Sequence, residues 1–180
     1  MSVEKEAVRP LLRTRQFREF TAEPPSEAQL DAIVDAARWT GSAGNEQPWR
    51  LIVIRNVETL RHLAEAGMPQ TRGLRTATAA IAIALPEDEY GLAKAYDDGR
   101  VAERILVAAQ LVGLGAGIGW VRKPSLPSFA EALALPEGWF IRTIMSVGHP
   151  SAAALAPKSK PGEARKPRAE VVFEEHWPAS

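Results

Sequence analysis

Arg13, Arg15 and Arg18 fall together just after a short apolar run. Guanidinium groups at that density can hold a phosphate through paired N–H donors. A solvated charged face gives the same pattern. A second chemical segment is Trp39-Thr-Gly-Ser-Ala-Gly-Asn-Glu-Gln-Pro-Trp-Arg50. Its small residues Gly41, Ser42, Ala43 and Gly44 let backbone come close to a flat ligand. Asn45 and Gln47 offer amide donors and acceptors that match the edge of a heterocycle. An ordinary helix–strand loop with Trp49 entering the core has this composition too. A third segment, Asp97 to Gly115, carries Ala102, Ala108 and Ala109 on a helix that runs into glycines. Those alanines suit close helix packing in a core or a dimer, and the glycines can present bare backbone N–H groups. A fourth, Arg165-Lys-Pro167, sets a basic residue where the chain can return to the same phosphate or remain a solvated linker.

The usual protein-borne catalysts are missing. The chain has no cysteine, which removes disulfides, thiolate nucleophiles and Cys-based metal sites. His62, His149 and His176 show no metal-ligand spacing, and no metal site is expected. Ser42 is preceded two residues earlier by Thr40 instead of the glycine of a nucleophile elbow. The run Gly113-Leu-Gly-Ala-Gly-Ile-Gly119 fails the dinucleotide fingerprint, because Ile118 stands at its third glycine and a helix precedes it. Either the chain is not an enzyme or a cofactor carries the chemistry.

Composition narrows the class. The 180 residues suit one domain, residues 1–180, and 22 basic residues balance 22 acidic ones. No basic field draws the chain to nucleic acid, and no apolar stretch is long enough to span a bilayer as a helix. The first residues lack the apolar core of a signal peptide. A soluble, cytoplasmic protein is expected.

The elements that position these residues are legible from periodicity. A helix is expected over Val3–Leu12, and a second begins at Ser26, with Gln29 completing a capping box and Gly41 ending it. Leu51–Ile54 reads as a buried strand, Thr78–Leu85 as a second, although its alanines leave a helix open, and Val57–Ala66 as a helix between them. Asp97–Val112 is the strongest helical pattern, followed by a short strand at Ile118–Val121, a small helix at Ser128–Leu135 and a strand at Phe140–Val147. Strands alternating with helices imply a sheet covered on both sides. Residues 148–180 form an extended arm whose Arg168–Phe173 reads as a last strand. A lone strand must pair with an edge, its own or a partner's.

Taken in order, Arg13–Phe20, Gly41–Trp49, Glu103–Val121 and Arg165–Pro167 resemble the FMN-dependent nitroreductase family, particularly its short single-domain members. Ser-Ala-Gly-Asn-x-Gln-Pro-Trp carries most of the resemblance, which runs from Leu12 to about Trp177. It implies an α+β fold, with a central mixed or antiparallel sheet flanked by helices. It implies an intertwined homodimer whose arm adds a strand to the partner, with FMN at the interface. Arg13, Thr14, Arg15 and Arg18 match the phosphate and ribityl motif. Gly41, Ser42, Ala43, Asn45 and Gln47 match the loop that covers the flavin from the other subunit. Ile118, Gly119 and Trp120 match the segment past the flavin N5 edge, where the backbone N–H of Gly119 or Trp120 would be the donor. Arg165 matches the basic residue that returns to the phosphate.

The implied activity is electron transfer from NAD(P)H to a nitroaromatic, quinone or similar small electron-poor acceptor by a ping-pong cycle, with no catalytic side chain required. Trp120 is a candidate stacking residue for the substrates, and a core aromatic otherwise. The same scaffold also serves reductive dehalogenation, enoate reduction or flavin fragmentation, or non-catalytic flavin binding. Met68–Arg75 and Pro86–Ala95 are the loops available for a lid; both are short, which favours an open site.

Overall fold

The computed structural model describes residues 2–87, 92–160 and 163–177. Four strands form one antiparallel sheet: β1 (Arg50–Ile54), β2 (Ala79–Pro86), β3 (Gly115–Trp120) and β4 (Trp139–Gly148), in the order β1-β2-β4-β3. Helices α1 (Val3–Ala7) and α2 (Arg9–Arg13) precede them, and α3 is Glu27–Arg38. The others are α4 (Val57–Ala66), α5 (Leu92–Leu111), α6 (Leu126–Ala132) and α7 (Ala152–Leu155). Among the described residues, no helix is long and apolar enough to cross a membrane.

Alternation along β2 explains the two-sided packing. Ala79, Ile81, Ile83 and Leu85 face α3 and α5, joining Leu30, Ile33, Val101 and Ile105. Ala80, Ala82 and Ala84 face the other side, with Leu60, Leu63, Leu74 and Phe129. Successive strand side chains point to opposite faces, so bulky and small residues sort by parity. Each fully buried Ile or Leu contributes roughly 1.5–3 kcal/mol.

Local signals hold where they are strongest. Ser26 Oγ accepts the Gln29 N–H at 3.2 Å, while Gln29 Oε1 accepts the Ser26 N–H at 2.9 Å. That reciprocal pair starts α3, and such caps stabilise by about 1 kcal/mol. Gly113, at φ +80°, adopts the left-handed conformation just beyond α5.

Four expectations are corrected. The first helix is two, α1 and α2, with Val8 between them in a non-helical conformation before Pro10. α3 ends at Arg38 with Trp39 as its cap, before Gly41. β1 is half-buried along most of its length, because it is an edge strand. Arg168–Phe173 forms no strand in the single chain: Arg168–Glu170 is a 3-10 turn, and the stretch is exposed. No edge of its own sheet receives it. The arm also contains a short helix, α7. Part of the Pro86–Ala95 loop, residues 88–91, lies outside the described residues.

Candidate functional site

The glycine run after α5 has a packing purpose. Gly115 and Gly117 lie on β3, an edge strand, and the chain from Gln16 to Phe20 crosses directly over them. A Cβ on Gly117 would sit 2.0 Å from the Phe17 carbonyl oxygen, and one on Gly115 would sit 2.7 Å from the Phe17 ring. With glycine there, the Phe17 N–H reaches the Ala116 carbonyl at 2.8 Å. The arginine segment is thereby fastened to β3.

Gln16 completes the junction. Its Oε1 accepts the Ile118 N–H at 3.2 Å and an Arg18 N–H at 2.8 Å. Two grooves meet at this side chain. One, of about 350 Å³, is lined by Gln16, Arg18, Pro69, Gln70, Arg72, Ile118 and Trp120. The other, of about 410 Å³, runs between Leu12–Gln16 and the arm, with Arg13, Arg15, Lys158 and Arg165 at its walls. Among the described residues, no carboxylate lines either groove. Both favour negative charge.

Within the first groove, Arg18 faces Arg72. Burial, and then the Arg72 charge, lower the pKa of Arg18. Gln70 Oε1 is buried and accepts no hydrogen bond; such an atom is costly unless a ligand supplies the donor. The indole of Trp120 is 60% exposed.

Backbone alternation separates Gly119 from Trp120. Bonded and non-bonded positions alternate along an antiparallel pair. Val121 donates to Arg142 at 2.8 Å, so Gly119, two residues earlier and opposite Ile144, turns its N–H toward β4. Ile118 and Trp120 turn theirs to the open edge, as the Ile118–Gln16 bond shows. Of the two expected donors, Trp120 is the one so oriented.

The structure thus places Arg18, Ile118 and Trp120 on one groove and Arg13, Thr14, Arg15 and Arg165 on the other, the two sharing Gln16, with Gly119 in a small hollow beside Arg18 and Ile118. It does not bring Gly41, Ser42, Ala43, Asn45 or Gln47 there; none lines either groove. That loop is organised by itself. Ser42 Oγ accepts the Gln47 N–H at 2.8 Å, and Gln47 Nε2 donates to the Asn45 side chain at 3.3 Å. Gly44, Asn45 and Gln47 all have positive φ. Gln70, Arg72 and Lys158 are residues that sequence reasoning missed. For Gln70 and Arg72 the available signal was the Met68–Arg75 loop, read only as able to form a lid; Lys158 lies on the arm.

The model of the nitroreductase family matches residues 11–96. A protein of Archaeoglobus fulgidus, provisionally named NADH dehydrogenase/NAD(P)H nitroreductase, is 30% identical over 81% of this chain and 86% of its own length. The NADPH-flavin oxidoreductase of Vibrio harveyi is 29% identical over 93% of this chain and 72% of its own. The solved structure of an FMN-dependent nitroreductase from Clostridium difficile superposes with a TM-score of 0.81 at 22% identity, covering 93% of this chain and 98% of that one. A shared fold and a relative this similar over most of both chains lead to one assignment: the chain belongs to the nitroreductase family.

Proposed function

We propose that this chain is an FMN-dependent oxidoreductase that passes electrons from NAD(P)H to nitroaromatic, quinone or similar electron-poor acceptors in a ping-pong cycle. The observation that carries the reading is the pair of grooves joined at Gln16, cationic at one end and aromatic at the other.

The residues present fit FMN. Arg13, Lys158 and Arg165 line a depression of about 410 Å³ with no carboxylate among the described residues of its walls. Gln70 Oε1 awaits a donor, and the imide N–H of the flavin ring is a donor of the right kind. Arg18 and Arg72 hold fixed positive charge beside it. When bound, FMN supplies a ring that takes two electrons from a reduced nicotinamide and releases them to an acceptor.

What the chain contributes is binding, orientation and electrostatics. Arg18 and Arg72 stabilise negative charge that grows in the groove, an effect strongest where donors are pre-set. The Trp120 N–H offers a backbone donor at the open edge, and its indole offers a stacking face. The groove is lined by Gln, Arg, Pro, Ile and Trp, so no side chain there is a general acid or base.

The proposed active form is a homodimer. The Gly41–Gln47 loop of each chain would cover the flavin held by the other, and each arm would add its Arg168–Phe173 stretch to the other sheet. Exposed apolar side chains support this: Leu11, Leu12, Leu111, Val171, Val172 and Trp177 lack burial in one chain. Burying such surface is what drives association. The proposed compartment is the cytoplasm.

The test is to denature the purified protein, identify the released chromophore, and follow NADPH and NADH oxidation with and without a nitroaromatic. FMN release and acceptor-dependent oxidation are expected. A protein that releases no flavin and takes up no added FMN would end the reading. Flavin without turnover would make the chain a flavin carrier.

A further inference from the structure

We infer that Arg15 is a positioning residue that latches the arm to the N-terminal segment, and so sets the width of the phosphate groove, without contacting the phosphate. The latch itself follows from the geometry; only the identity of the ligand rests on the proposed function.

Arg15 is half-buried and already engaged. Its Nη2 donates to the carbonyls of Ala154 at 3.0 Å and Leu155 at 2.6 Å, and its Nη1 to that of Ala156 at 3.4 Å. These are the carbonyls at the end of α7, which have no partner within so short a helix. A guanidinium fork suits adjacent carbonyl oxygens, and a cation complements the negative end of a helix. The Phe17 ring supports the same guanidinium from another side, its centroid 4.8 Å from Arg15 Cζ. Phe17 is itself fixed in the glycine cradle of β3.

The groove has two walls that are far apart in sequence. Leu12–Gln16 form one; Pro157, Lys158, Ser159, Ala164 and Arg165 belong to the other. Among the described residues, Arg15 is the side chain whose hydrogen bonds cross from the first wall to the arm. Arg13 and Lys158, by contrast, make no ion pair among the described residues, and Arg165 donates only to the neighbouring Ala164 carbonyl at 2.7 Å. Those three cations are available to an anion. Arg15 is not, because its fork is held by three carbonyls.

The arrangement predicts coupling. If Arg15 holds the arm, Arg165 contributes to phosphate binding only while Arg15 is present. The experiment is a double-mutant cycle on the full-length protein with Arg15→Ala, Arg165→Gln and the double variant. It is read by FMN affinity and, separately, by the rate of tryptic cleavage after Lys158 in flavin-free protein. Arg165→Gln should weaken FMN about tenfold in the wild-type background and have little further effect in Arg15→Ala. Flavin-free Arg15→Ala should be cut at least tenfold faster than wild type, and Arg15→Lys should recover part of that protection. Circular dichroism confirms that each variant is folded before it is scored; if Arg15→Ala does not fold, Arg15→Lys carries both readouts. Additive losses of FMN affinity, with unchanged cleavage of the flavin-free protein, would overturn the latch and make Arg15 a direct ligand. Failure of the wild type to bind FMN would overturn the proposed function instead, and the cleavage readout would still decide the latch.

Discussion

Gln16 accepts the backbone N–H of Ile118 at 3.2 Å, a contact between positions 102 residues apart. It links the arginine segment to the strand that carries Trp120, and the two grooves meet at this side chain. Two substitutions separate its structural and electrostatic parts. Gln16→Ala removes the acceptor of both the Ile118 and Arg18 hydrogen bonds, and should cost about 1–2 kcal/mol, read as a lower midpoint of thermal unfolding. Gln16→Glu keeps an acceptor for both donors but puts a negative charge between two cationic grooves. Its stability should stay within ~0.5 kcal/mol of wild type while FMN affinity drops about tenfold or more. Equal FMN affinity in Gln16→Glu would show that the junction is not next to the anion site.

Gly117 makes the close crossing possible. Its absent Cβ would lie 2.0 Å from the Phe17 carbonyl oxygen, a backbone atom with little room to move. Gly117→Ala should therefore lift the Gln16–Arg18 stretch from β3 and destabilise by about 3 kcal/mol or more. Gly99→Ala is the contrast: nothing lies within 4 Å of its built Cβ, and in a helix the change should stabilise by roughly 0.5–1 kcal/mol. Urea unfolding of both variants checks the pair. Similar midpoints for the two would refute the cradle.

These two cases show what the sequence disclosed and what it withheld. The Ser26–Gln29 box is a local code and is readable from the sequence alone; the strand at β2 is readable too, but its alanines leave a helix open until the two faces are seen to pack against different helices. The glycines after α5 were visible, but their purpose was not. They answer to Phe17, about a hundred positions away in sequence, and only the folded chain brings the two together. Arg72 and Lys158 were missed for the same reason: nothing in their neighbours distinguishes them from solvated surface cations. Arg15 matches the phosphate and ribityl motif by resemblance, and nothing local in the sequence shows that its hydrogen bonds go to Ala154, Leu155 and Ala156. The Arg168–Phe173 stretch has strand-forming residues, but propensity cannot supply an edge for them to pair with.

Asp98 gives a pH-dependent prediction. Its carboxyl is buried against β4, where Oδ2 accepts the Thr143 hydroxyl at 2.7 Å and Oδ1 has no partner. Burial raises its pKa above the ordinary carboxylate value, against the opposing effects of the Thr143 hydrogen bond and Arg142. A raised pKa means that the folded state binds the proton more tightly than the unfolded one. This group's contribution to stability therefore grows as pH falls from neutral toward the unfolded carboxylate value, and is lost as pH rises through the folded pKa. Asn cannot titrate, so the stability of wild type minus that of Asp98→Asn should rise on acidification, with a slope of at most about 1.4 kcal/mol per pH unit. Parallel stability–pH curves for the two proteins would mean that Asp98 titrates normally.

Under the proposed function, Trp120 is the candidate stacking residue for the substrates. Its side chain is 60% exposed, so Trp120→Ala removes little buried surface and should change stability by no more than about 0.5 kcal/mol. If the indole stacks on the nicotinamide or the acceptor, kcat/KM should fall about tenfold, chiefly through KM, because a lost stacking face weakens ground and transition states alike. Trp120→Phe keeps an aromatic face and the same backbone N–H, so it should retain most of the activity. Steady-state kinetics with a nitroaromatic and a quinone, each varied at saturating NADPH, distinguish the outcomes. If Trp120→Ala lowers kcat without moving either KM, stacking is wrong; the site would then depend on how the strand edge is held at that position, in the groove that Trp120 lines together with Gln70 and Pro69.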